Sequence, residues 1–236
     1  MRKNNSLENI VIIPARKNSK RIKNKNIKFF FNKPLIYWTI KNVLNLKNIS
    51  SIYVSTDCSR ISKISKKFGA KVLFPRPKKL SGDKATILEV MKYEIKKLVK
   101  KKKINHIFCV LPTGIFLKKK HYIDALKKLD LKTNFVISAI KNEHENIKNF
   151  YFKNKKLKLI NPEFEFTNTQ KIPQTYKDAG QFYLAHSKTW LLAKRIFSKK
   201  TKLILLDKKK TVDIDNQKDW KLAIKIFKKQ KLINSN

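Results

Sequence analysis

Ile10-Val11-Ile12-Ile13, four β-branched residues in a row, opens the apolar pattern of the chain and predicts a buried parallel strand that Pro14 stops. Phe29-Phe30-Phe31 is apolar, and Asn32-Lys33-Pro34 marks a turn with Pro34 near a helix start. Leu35 to Leu46 carries Ile36, Ile40, Val43 and Leu44 at helical spacing. Ile52–Ser55 reads as a second strand, Cys58–Phe68 as a helix stopped by Gly69, and Lys71–Phe74 as a third strand. A helix running to about Lys100, a strand at His106–Leu111, a helix at Lys118–Leu129 and a strand at Phe135–Ile140 continue the alternation. Ser187–Ile196 (helix), Lys202–Leu206 (strand) and a helix from about Gln217 through Phe227 complete it, with a frayed tail from Lys228. Such strand–helix–strand order predicts an α/β architecture with a mostly parallel sheet and right-handed crossovers. The length suits one domain, 1–236.

The rhythm breaks from Asn142 to Lys171, where Tyr151–Leu157 reads as a hairpin followed by the irregular stretch Asn161–Thr169. A break of this length within a compact domain is usually functional or an interface. Its aromatics, Phe150, Tyr151, Phe152, Phe164 and Phe166, favour burial against something over a mobile surface flap.

Charge changes the picture less than its size suggests. The formal net charge is +41, from 57 Lys and Arg against 16 Asp and Glu. That invites a nucleic-acid reading, since basic proteins gain affinity by releasing counterions from phosphate backbones. Only Arg2, Arg16, Arg21, Arg60, Arg76 and Arg195 are arginines, however, whereas readers of nucleic acid lean on bidentate arginine contacts. The lysines are spread over every predicted helix, and with abundant Asn, Ile and Phe they read as the codon bias of an AT-rich genome. Nucleic acid is therefore not the expected partner. Cys58 and Cys109 are too few for a disulfide framework or zinc cluster. MRKNNSLEN is too polar for a signal peptide, and no apolar run approaches a membrane span, so a soluble, cytoplasmic protein is expected.

Candidate chemistry begins after the first strand, where a loop carries Arg16, Lys17, Lys20, Arg21, Lys23 and Lys25. Open α/β sheets bind ligands at the carboxyl ends of their strands, and so much positive charge there suits a polyphosphate. No glycine lies between Val11 and Asn26, which excludes both the Walker loop and the dinucleotide fingerprint and leaves side chains to neutralise the phosphates. Asn18 tolerates a left-handed backbone better than most residues, which lets the loop form without glycine. Asp57 ends the second strand and is expected mainly to cap the following helix; Asp83 is expected to cap the helix that runs to Lys100. His144 lies between Glu143 and Glu145, but one histidine beside two acids has no metal-site spacing and is read as surface. Asp213 and Asp215 sit two apart in Thr211–Asp215, read as a strand, in which residues two apart face the same side, so they project together. Side by side they repel unless a cation lies between them, and Mg²⁺ takes few protein carboxylates plus phosphate oxygens; alternatively Asp215 only caps the next helix.

Five segments in order carry a resemblance. Pro14-Ala15-Arg16 to Lys25-Asn26 resembles the signature loop of the sugar-acid cytidylyltransferases, the CMP-sialic acid synthetase group, which reads roughly PARGGSKR-x-x-x-KN; Lys17-Asn18 replace the two glycines. Ser55-Thr56-Asp57 is similar to a family segment near the nucleotide, and Arg76-Pro77 to Ala85-Thr86 fits R-P-x-x-L-[SA]-x-D-x-A-[ST] at every fixed position. Asp178-Ala179-Gly180-Gln181-Phe182-Tyr183 is similar to the H-D-A-G-Q-F-Y of the pseudaminic acid branch, with Lys177 in the histidine's place. Asp213-Ile214-Asp215 matches the family's D-[IV]-D pair.

The resemblance implies a nucleotide-diphospho-sugar transferase (Rossmann-like) fold and 142–171 as a dimerisation insertion reaching toward the partner's sugar pocket. The implied reaction is CTP plus a nine-carbon α-keto acid sugar giving the CMP-sugar and pyrophosphate, in a homodimer. By the same resemblance Ala15, Arg16, Ser19, Lys20, Arg21, Lys25 and Asn26 hold the nucleotide, and Arg76 and Ala85 meet the cytosine. Asp213 and Asp215 hold Mg²⁺, and Arg16 and Lys25 act with that ion on the phosphates. Asp178 and Gln181 bind the sugar, pseudaminic acid being favoured. Relatives acting on N-acetylneuraminate commonly have glutamine where Leu111 stands, and legionaminate and 3-deoxy-manno-octulosonate are the other acids considered. The departures at Lys17-Asn18, Gly114 and Lys177 leave a catalytically dead relative as a further alternative.

Overall fold

The apolar runs assemble into one central sheet in a computed structural model, which describes residues 7–142 and 147–233. His144 and its two flanking glutamates lie outside the described residues. In chain order the first half comprises β1 (Glu8–Pro14), β2 (Phe29–Phe30), β3 (Lys33–Pro34), α1 (Leu35–Leu44), β4 (Ser51–Ser55), α2 (Ser59–Lys67), β5 (Lys71–Leu73) and α3 (Ile87–Val99). The second half comprises β6 (Ile104–Val110), α4 (Lys119–Lys128), β7 (Phe135–Lys141), β8 (Phe150–Lys153), β9 (Lys156–Leu159), β10 (Tyr176–His186), α5 (Ser187–Leu192), β11 (Thr201–Leu206) and α6 (Gln217–Ile233).

Seven strands lie in the order β11-β7-β10-β6-β1-β4-β5. The expected mostly parallel α/β sheet is present: β1 pairs in parallel with β4 and β6, β4 with β5, and β11 with β7. The exception is β10, which is antiparallel to both β6 and β7 and breaks register between Asp178 and Tyr183. Alternation sends Val11, Ile13, Phe108 and Val110 into one layer with Ile36, Ile40 and Tyr122. Ile10, Ile12, Ile107 and Cys109 enter the other, against Met91 and Ile95 of α3 and Trp190 of α5. Burial on both faces explains why the central strands read as continuous apolar runs.

A third cluster fixes the site. Phe30 and Trp38 pack with Trp220, Ala223 and fully buried Ile214, so α6 is fastened beside the short β2–β3 hairpin. Ile214 anchors the segment between Asp213 and Asp215. The strand expected over that segment does not form and the segment pairs with no strand, so burial of Ile214, and not sheet pleat, sets the direction of its acids.

Two expected caps are corrected. Thr86 caps α3, its hydroxyl accepting from Glu89 N while Glu89 returns a bond to Thr86 N, which leaves Asp83 three residues upstream and free for other contacts. α2 begins at Ser59 and receives no side-chain cap from Asp57. Before α6, Asn216 Oδ1 accepts from Lys218 N and Asp219 N, so Asp215 is not its cap. Ala193 is extended, ending α5 four residues before the expected Ile196. The β8–β9 hairpin is present, turning through left-handed Asn154 and Lys155.

Candidate active site

The signature loop holds its shape without glycine through bonds to its neighbours. Ala15, fully buried, donates its N–H to Ser55 O at 2.8 Å, extending the β1–β4 pairing into the loop. Asn26, also buried, donates from Nδ2 to Arg16 O at 2.9 Å and closes the loop on itself. Lys17 N donates to Asp57 Oδ1 at 2.7 Å. The left-handed residue of the loop is Asn24, at φ 56°, and not Asn18, because the turn falls just before the helical turn Lys25–Ile27.

The loop's cations then meet two acids. Arg16 Nη1 lies 2.9 Å from Asp83 Oδ1, and Lys20 Nζ 2.5 Å from Asp83 Oδ2. Arg21 Nη2 lies 3.1 Å from Asp215 Oδ2, and Lys25 Nζ lies 3.6 Å from Asp215 Oδ1 while donating to Ile214 O at 2.5 Å. The two cations on Asp83 hold its carboxyl below the usual carboxylate range. These groups surround a cavity of about 510 Å³ at the carboxyl ends of β1 and β6. Ser19, Arg16, Lys20, Arg21, Lys25, Asn26, Asp213 and Asp215 all line it, so most of the residues expected to bind nucleotide are brought together. Leu111, Pro112 and Thr113 form its opposite wall.

Arg76 and Ala85 do not line this cavity; their segment contributes Asp83 and Ile87 instead. Arg76 is 4% exposed, with Nε donating to Ser81 Oγ at 3.2 Å and its backbone N–H to Thr56 O at 2.9 Å. Burial lowers its affinity for the proton, and the charges of Asp57 and Glu94 oppose that. Glu94 is itself wholly buried on α3, bonded by Ser55 Oγ at 2.7 Å, and burial raises its pKa. Sequence reasoning missed Glu94, which sits at a helix position that reads as apolar face, and missed Asp83 by taking it for a cap.

Asp213 packs directly over Gly180. A Cβ on Gly180 would lie 2.5 Å from Asp213 Oδ2, and Gly180 has φ +59°, so glycine is needed there for both space and conformation. Burial first, then the neighbouring Asp215, pushes the Asp213 carboxyl up to about 6. Two acids facing one cavity, with the charge of Asp215 raising the proton affinity of Asp213, make a donor set that a divalent cation would relieve. Among the described residues no cluster of three or more metal-ligating side chains exists, so a bound ion would draw its remaining ligands from phosphate and water.

A second hollow of about 410 Å³ shares Arg21, Asp213 and Asp215 and adds Lys177, Asp178 and Lys208. Asp178 accepts from Gly180 N at 2.9 Å and from Tyr183 Oη at 2.5 Å, with its carboxylate on that hollow. Gln181 is not beside it. It is fully buried, its Nε2 donating to Ala179 O at 3.1 Å and toward Val212 O at 3.4 Å, because the register break turns residue 181 inward.

The cytidylyltransferase family profile matches residues 10–235. Over 94% of this chain and 97% of its own length, a pseudaminic acid cytidylyltransferase of Campylobacter jejuni is 32% identical. An N-acylneuraminate cytidylyltransferase of Escherichia coli is 29% identical over 94% of this chain and 52% of its own length. In fold, the chain superposes on CMP:2-keto-3-deoxy-manno-octonic acid synthetase complexed with CTP with a TM-score of 0.70, covering 94% of this chain and 99% of that one at 12% identity. A loop of cations at the end of the first strand, an acid pair facing it, and a match spanning nearly the whole sequence leave one conclusion: the chain belongs to the cytidylyltransferase family.

Proposed function

We propose that this protein transfers CMP from CTP to a nine-carbon α-keto acid sugar, pseudaminic acid, and releases pyrophosphate. The observation that carries the proposal is the convergence of Arg16, Lys20, Arg21 and Lys25 with Asp213 and Asp215 on one cavity. A triphosphate needs that density of cations, and transfer at a phosphorus centre depends on positioning and charge neutralisation more than on a strong base. The sugar's anomeric hydroxyl attacks the α-phosphate in line, the bond to the β-phosphate oxygen breaks, and pyrophosphate leaves. Arg16 and Lys25 neutralise the phosphates, Asn26 holds the loop around them, and Arg76 serves the base end. Asp213 and Asp215 would hold Mg²⁺, which supplies further charge neutralisation on the phosphates when bound.

The second hollow, with Asp178 and Lys177, is the proposed sugar side; Gln181 supports it indirectly by holding the Val212 carbonyl. Pseudaminic acid is favoured by the Asp178–Tyr183 segment and by 32% identity to the Campylobacter enzyme. Leu111, an apolar residue in the cavity wall, argues against N-acetylneuraminate.

A homodimer working in the cytoplasm, where CTP is supplied, is part of the proposal. It is supported by the 142–171 stretch, where Phe150, Phe152 and Phe166 are more than half exposed and offer apolar area for a second chain to cover. No described helix is long and apolar enough to cross a membrane. The test is pyrophosphate release with CTP and Mg²⁺, comparing pseudaminic, legionaminic and N-acetylneuraminic acids. Turnover with pseudaminic acid alone is expected. Preference for another acid would sink the reading of the Asp178–Tyr183 segment, and a folded chain that binds no CTP would sink the reaction.

A further inference from the structure

We infer that Asp57 is a positioning residue that joins the phosphate end of the site to its base end, holding the signature loop through Lys17 and the Arg76 segment through its neighbour Thr56. The inference rests on the cytidylyl-transfer reading above.

The starting point is a loop with no glycine from residue 12 to residue 25. Its backbone amides leave the sheet and need partners of their own. Lys17 finds its partner in a charged acceptor, Asp57 Oδ1, at 2.7 Å across forty residues of sequence. A carboxylate acceptor gives a stronger bond than a neutral one, so this contact is suited to pinning the loop backbone at Lys17. The carboxylate is available because α2 makes no use of it; Cys58 N turns instead to Thr56 Oγ1 at 3.2 Å.

The same residue adjoins the base end. Thr56 is fully buried, and its carbonyl accepts the Arg76 N–H at 2.9 Å while its own N–H reaches Leu73 O at 3.3 Å. Arg76 is therefore hung from the residue preceding Asp57, almost out of solvent, where a lone cation is costly. Its neighbouring negative charges are Asp57 and Glu94. Glu94 is already engaged by Ser55 and by Lys97, at 3.6 Å. Among the described residues Asp57 is thus the one acid that touches the loop and also offsets Arg76, so the two ends of the nucleotide meet parts held in fixed relation.

The test compares Asp57→Ala with Asp57→Asn in steady-state kinetics with CTP and UTP. Asp57→Ala removes both functions. The CTP KM is expected to rise roughly tenfold, the scale of one charge-assisted bond, and the preference of kcat/KM for CTP over UTP to fall by a similar factor. Asp57→Asn keeps an oxygen to accept the Lys17 N–H but removes the charge beside Arg76. It is expected to bring the CTP KM back toward the wild-type value while keeping the loss of CTP preference. A merely structural role would lower turnover with both nucleotides in equal proportion, and that result overturns the inference, as does an unchanged CTP KM in folded Asp57→Ala. Calorimetry on the wild type separates the two readings: if it binds no CTP, the cytidylyl-transfer reading itself is what fails.

Discussion

Gly180→Ala is the most discriminating single change in this site. The added Cβ would stand 2.5 Å from Asp213 Oδ2 and 2.6 Å from its Cγ, whereas ordinary contact begins near 3.4 Å, so the carboxylate has to retreat by about 0.9 Å. The backbone there has φ +59°, which costs a residue with a Cβ about 1–2 kcal/mol. For a chain of this size that predicts a Tm lower by roughly 2–8 °C. The larger effect falls on chemistry. A displacement near 1 Å at a positioned group costs on the order of a hundredfold in rate, so pyrophosphate release should fall about that far. CTP binding, which depends on the loop cations, should stay within a few-fold. Gly82→Ala, whose Cβ meets nothing within 4 Å, is the control for a glycine substitution as such. Folded Gly180→Ala turning over within threefold of wild type would refute the claim that Asp213 acts from its observed place.

Other expectations follow from the same geometry. Asp215→Ala should abolish Mg²⁺-dependent turnover with the fold intact by circular dichroism; persistent turnover would remove the metal role. Arg76→Ala should weaken CTP binding by about tenfold or more in a calorimetric titration, and unchanged affinity would exclude it from recognising the base. His121 accepts the Lys118 N–H on Nδ1 at 3.0 Å, and burial holds its pKa down at about 4. Since the folded state resists the proton that the unfolded chain takes up near pH 6.5, this stabilisation is complete above that pH and is lost as pH falls toward 4. Urea unfolding at pH 7 and pH 4 should therefore show a smaller loss for His121→Gln, which keeps an acceptor that does not titrate; equal losses would refute it.

The order of strands and helices was legible in the chain because periodicity is local: β-branched runs, helical spacing and Gly69 each act within a few residues. The basic loop and the Asp213–Asp215 pair were legible for the same reason, being short stretches of unusual charge. What the sequence could not decide was which acid meets which cation. Asp57 and Asp83 both precede a helix and look like caps, yet one holds Lys17 and the other Arg16 and Lys20, from segments 40 and 67 residues away. Those partners are chosen by the sheet order, which sets β1 beside β4 and brings the Arg76–Thr86 segment over the loop. Gln181 was read as a ligand contact, but the insertion of β10 between β6 and β7 with a register break turns it inward. The Gly180–Asp213 contact likewise exists only because burial of Ile214 presses the acid segment onto that strand. Local chemistry specified the elements and their charges; packing of distant apolar faces decided where each charge came to rest.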